Sequence, residues 1–100
     1  MYELTEEAVR DIQVIVEYSI AEFGMQQTEE YYHSLSKCLE MLGDNPEMGN
    51  LANNLLPGYR RFSHISHVIF YKAKNQGILV VRVLHKSMDI NKQLGDEIGN

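Results

Sequence analysis

At 100 residues the chain has room for one domain with a single modest core. Its 44% apolar content is that of a folded globular protein, and no apolar run approaches the roughly 18 residues of a membrane-spanning helix, which excludes wholesale disorder and a helical membrane anchor. The formal net charge of −5 hides a division: residues 1–56 carry eleven Asp or Glu against Arg10 and Lys37, whereas residues 57–92 carry seven Lys or Arg against Asp89 alone.

The first half would repel a nucleic acid, and the second would attract a phosphate or an acidic protein segment. Glu3, Glu6, Glu7 and Asp11 stand where a secretory leader would need positive charge, so a cytoplasmic location is expected. Cys38 is the single cysteine, which leaves no disulfide framework and no cysteine-based metal site within one chain.

In chain order, Tyr2-Glu3-Leu4 alternates over too short a span to stand alone and reads as an edge strand for a later sheet. Thr5 is the N-cap of a first helix, with Glu6 and Glu7 placing negative charge at its positive end. Ala8, Ile12, Ile15, Val16, Ser19 and Phe23 recur at three- and four-residue steps and fall on one helical face. Gly24 stops that helix, and Thr28, Tyr31, Tyr32, Leu35, Cys38, Leu39 and Leu42 give a second of the same period, ended by Gly43 and Pro46. With so short a connection the two helices must form an antiparallel hairpin with one shared apolar surface. Asp44-Asn45-Pro46 is a turn, residues 48–54 are irregular or at most one helical turn, and Leu55-Leu56 re-enters the core.

Three strands follow, at Tyr59 to Ser63, Ser66 to Ala73 and Ile78 to Lys86, with Asn75-Gln76-Gly77 as the turn before the last. In the last strand strict alternation sets Leu79, Val81 and Val83 on one face and Ile78, Val80, Arg82 and Leu84 on the other. Apolar residues on both faces imply a strand covered on both sides. The hairpin covers one, and either a short helix over Ile90 to Ile98 or a partner chain must cover the other. The whole is an α+β domain spanning 1–100: an N-terminal antiparallel helical hairpin packed on a three- to four-stranded antiparallel sheet, with a short C-terminal helix or tail.

The same strands hold the cations. Arg82 among apolar neighbours must lie at the rim or pair with a carboxylate or phosphate, either an N-terminal Glu of its own chain or a group supplied by a partner. Arg60 and Arg61 project to opposite faces, so at least one should meet solvent. His64, His67 and His85 are candidate acid–base groups, though each reads more readily as structural or solvated. His64 and His67 alone are too sparse to hold a metal, and no Gly-rich phosphate loop or basic recognition helix occurs, so neither a cofactor nor direct sequence-specific nucleic-acid binding is expected. Cys38, Tyr31, Tyr32 and the methionines read as packing.

Pro57-Gly58-Tyr59-Arg60-Arg61, then His67-Val68-Ile69-Phe70-Tyr71, then Arg82-Val83-Leu84-His85 followed by Met88-Asp89, resembles the signature of the ParE branch of the RelE/ParE superfamily of toxins from bacterial type II toxin–antitoxin systems, and the likeness runs to about Leu94. The resemblance implies a growth-arresting, plasmid-stabilising toxin that traps DNA gyrase on cleaved DNA, acts by binding and not by catalysis, and is neutralised by a cognate antitoxin in a hetero-oligomer. It places antitoxin contacts at Arg60, Arg61, Arg82 and Leu84 and target contacts at His85, Lys86, Met88 and Asp89. The alternative is the ribosome-dependent messenger-RNA endonuclease activity of the RelE and YoeB branches. Those branches usually set a tyrosine, histidine or glutamate beside several cations near the C-terminal strand. Here His85 is followed by Lys86-Ser87 without a tyrosine, and residues 49–88 hold no carboxylate to act as base, which favours the ParE branch.

Overall fold

The computed structural model describes residues 1–54, 56–88 and 92–94. Its elements are β1 (Tyr2–Leu4), α1 (Glu6–Phe23), α2 (Met25–Asp44), a 3-10 turn (Pro46–Met48), β2 (Asn50–Leu51), β3 (Arg60–His64), β4 (His67–Lys74) and β5 (Gly77–His85). The helical hairpin and the three main strands thus lie where periodicity sets them. The sheet has five strands in the order β1-β5-β4-β3-β2. Its β2–β3, β3–β4 and β4–β5 pairings are antiparallel, but β1 runs parallel to β5, Tyr2 beside Ile78 and Leu4 beside Val80. The crossover that makes this parallel pair is the whole of the intervening chain, so no local signal announces it.

Thr5 caps α1 as expected: its Oγ1 accepts from the Ala8 amide at 3.1 Å and its hydroxyl donates to the Val81 carbonyl, also at 3.1 Å. One side chain therefore starts the helix and ties it to β5 where β1 ends. Gly24, at φ 88°, supplies the left-handed residue that lets α2 begin immediately after α1. Ser19 and Thr28 then meet across the hairpin with their hydroxyl oxygens 2.9 Å apart. Phe23 departs from the expected buried face. It is the last residue of α1 and is 57% exposed.

The principal core lies between hairpin and sheet: Ala8, Leu35, Cys38, Leu39 and Leu42 pack on Ile69, Tyr71, Ile78, Val80 and Val83. Tyr71 is fully buried, and its hydroxyl donates to the Pro46 carbonyl and accepts from the Gly49 amide, each at 2.8 Å. A Cβ at residue 49 would collide with that hydroxyl, which is why glycine stands there.

A second, smaller cluster on the outer face joins Val68, Phe70, Leu84 and Leu94, with Val81 against it. The strict alternation expected of β5 fails at one point. Phe70 pairs with Arg82 but Tyr71 pairs with Val80, leaving Val81 as a bulge and shifting the alternation by one residue. Val83 therefore joins Ile78 and Val80 in the helix-side core, while Leu84 turns outward. The outer cover expected from a terminal helix is present in part: residues 92–94 are helical and Leu94 is buried, 3% exposed, and the rest of Ile90 to Ile98 lies outside the described residues. Leu55 also lies outside them, while its neighbour Leu56 is buried.

Candidate partner-binding site

Because β4 alternates regularly, Val68, Phe70, Lys72 and Lys74 share the outer face, and Arg61, opposite Phe70 in the register, shares it from β3. Arg61 sets its guanidinium 5.4 Å from the Phe70 ring centroid, and Lys72 holds its ammonium 5.5 Å from the Tyr59 ring. A cation over an aromatic face is stabilised by the ring quadrupole while keeping its remaining N–H groups for a partner. Val81 and Leu79, both half-buried, lie between these cations and the edge strand. Lys74 is bound to Glu3 at 2.8 Å. Arg61, Lys72, Leu79 and Val81 thus offer apolar contact beside positive charge, the combination an acidic amphipathic segment would match.

The other sequence-predicted contacts are distributed differently. Arg60 points to the helix side, where its guanidinium donates to the Gly49 carbonyl at 2.8 Å. Arg82 takes the internal alternative left open above, although with an aspartate of α1. Its Nε and Nη2 donate to Asp11 Oδ2 and Oδ1 at 2.7 and 2.9 Å, and the pair is 8% and 14% exposed. Asp11 Oδ2 also accepts the Val83 amide at 2.9 Å, so this carboxylate seals the edge of β5 beyond the end of β1. Leu84 is 1% exposed beneath Leu94. Arg82 and Leu84 are thus interior, and Lys72, which sequence reasoning counted as a cation without assigning it a site, joins Arg61 on the surface. The β4 alternation was the signal that could have found it.

His85 ends β5, Lys86 and Met88 follow it, all three are exposed, and Asp89 lies outside the described residues. The histidines gather on the helix side. Tyr31 Oη lies 2.6 Å from His67 Nδ1 and 3.3 Å from the His64 carbonyl, and Ser34 Oγ is 3.1 Å from His64 Nε2. Both Tyr31 contacts are satisfied at once when neutral His67 donates from Nδ1 and the phenol donates to the carbonyl. His85 completes the group, its ring edge-on to His67 at 5.3 Å. Burial, then the nearby His85 and His64, lower the His67 pKa to about 4, and burial also lowers that of His64 and raises that of Tyr31. These shifts keep His67 and Tyr31 uncharged near neutral pH. Among the described residues no group of three or more His, Cys, Asp or Glu could hold a metal ion, and no helix is long and apolar enough to cross a membrane.

The family model for the ParE toxin of type II toxin–antitoxin systems, parDE, matches residues 2–90. The chain is 37% identical to Toxin ParE1 of Caulobacter vibrioides over 94 residues, 94% of this chain and 97% of that one. It is 33% identical to Toxin ParE1 of Mycobacterium tuberculosis, covering 93% and 96% respectively. Its fold matches a structure described as the chromosomal ParDE system of P. aeruginosa with a TM-score of 0.72, at 15% identity, covering 84% of this chain and 92% of that one. The chain belongs to the ParE toxin family.

Proposed function

We propose that this toxin acts in the cytoplasm by inhibiting DNA gyrase, trapping it on cleaved DNA, and that a cognate antitoxin neutralises it by binding the outer sheet face. Family membership over residues 2–90 is the observation that carries this reading. The disposition of the cations supports it. Transfer of an RNA phosphate would need several cations converging on one oxyanion with a base beside the 2′-hydroxyl. Arg82 is instead engaged by Asp11, and Arg60 and Arg61 point to opposite faces. The toxin works by binding, with no catalytic residue of its own.

In this reading Arg61 and Lys72 meet carboxylates of the antitoxin while Val81 and Leu79 meet its apolar side chains. Arg60 braces the strand from behind, and Arg82 and Leu84 shape the floor. His85, Lys86, Met88 and Asp89 form the gyrase-contacting surface, of which His85 at the end of β5 and Lys86 and Met88 after it are exposed. The test is a paired assay on purified protein: plasmid supercoiling by gyrase with cleaved DNA scored, and ribosome-dependent cleavage of a translated message. Supercoiling should fall, breaks should accumulate, added antitoxin should restore activity, and the message should stay intact. RNA cleavage with gyrase unaffected would overturn the reading in favour of the endonuclease branch.

A further inference from the structure

The turn end of the hairpin and the β3–β4 turn enclose an open cleft of about 500 Å³ on the side of the molecule away from the cationic face. Its rim is formed by Tyr18, Phe23 and Ile65, which are 61%, 57% and 63% exposed, and its floor by Tyr31, His67 and His85. Single exposed apolar side chains are ordinary, but three large ones around one ligand-sized cleft mark a docking surface.

The charge of the cleft selects its occupant. Among the described residues that line it, Glu30 is the sole formally charged one. Lys86 is joined to the rim through its amide, which donates to the Ser66 carbonyl at 2.9 Å, but does not itself line the cleft. The floor presents the Tyr31 phenol and imidazole rings, and these aromatic faces together with Glu30 favour a cation. We infer that this cleft docks a basic amphipathic segment of a protein partner, its apolar side chains seated among Tyr18, Phe23 and Ile65 and a Lys or Arg beside Glu30. Its preference is opposite to that of the outer sheet face, so one occupant cannot suit both, and the inference does not depend on gyrase or the antitoxin.

The test uses the full chain, labelled with nitrogen-15, and two helical peptides of about 16 residues with the same leucine face, one with lysine and one with glutamate on the polar face. The lysine peptide should bind and shift the amides around Tyr18, Phe23 and Ile65. The double variant Phe23→Ser with Ile65→Ser, and separately Glu30→Lys, should each weaken it by about tenfold or more, while Lys72→Glu should not. All of these positions are exposed or half-buried, so thermal melts should coincide with that of the unaltered protein. No binding, equal binding of the glutamate peptide, or lysine-peptide binding indifferent to the cleft variants would overturn the inference. So would concentration-dependent shifts at the same amides without peptide, which would assign the cleft to a second copy of the chain.

Discussion

The two faces of the sheet use the same residue types to different ends. Apart from the cleft at the hairpin turn, the helix side is closed by its own chain: among the described residues ten buried side chains interlock, the Tyr71 hydroxyl is satisfied twice, and Asp11 binds both the Arg82 fork and the Val83 amide. The outer side buries Val68, Phe70, Leu84 and Leu94, and beyond them leaves Arg61 and Lys72 poised over aromatic rings beside half-buried Val81 and Leu79. Arg61 and Arg82 flank Phe70 in the register, one on each neighbouring strand, yet one faces solvent while the other is consumed by architecture. An arginine in a binding motif is therefore a candidate contact only once its internal carboxylates have been excluded.

The sharpest way to break this comparison is Arg82→Glu. It sets two carboxylates against each other in a site where Asp11 is 14% exposed, and losing one partner of a buried pair costs about 3–5 kcal/mol. Chemical denaturation should show most of the folding free energy gone, so any loss of antitoxin binding by this variant reports unfolding and not a missing contact.

A second effect is pH. The His67 pKa is lowered from 6.5 to about 4, so the folded state favours the neutral ring. Its contribution is fully present above pH 6.5, declines as the pH falls through the window from 6.5 to about 4, and reaches a loss on the order of 3 kcal/mol below it. Denaturation midpoints measured across that window should fall for the unaltered protein and flatten for His67→Gln.

Tyr71→Phe is smaller. It strands the Gly49 amide, at a cost of about 1–3 kcal/mol, and should leave the far-ultraviolet circular dichroism unchanged while lowering the melting temperature.

Much of this was legible in the sequence. The helical hairpin, the Thr5 cap, the Gly24 stop and the three main strands follow from period and turn chemistry because those signals are local. What was illegible is long-range. Asp11 and Arg82 are 71 residues apart, and nothing at either position names the other. The parallel seat of β1 depends on three residues, too few to carry a register. The bulge at Val81 inverts the expected faces of Val83 and Leu84 because alternation counts residues and cannot see an extra one. Alternation put Arg60 and Arg61 on opposite faces without saying which one meets solvent, and it could not foresee that Arg82 and Leu84 would be buried.

The division between a self-satisfied face and a receptive one is tested most directly by the dissociation constant of the cognate antitoxin for Arg61→Glu beside the unaltered toxin. Surface substitutions of this kind change stability by about 0.5 kcal/mol or less, so the two melts should coincide. The account predicts antitoxin binding weakened by about tenfold or more at low salt, with the difference narrowing as salt screens the pair. An unchanged dissociation constant with an intact fold would contradict it and move the antitoxin off the outer face.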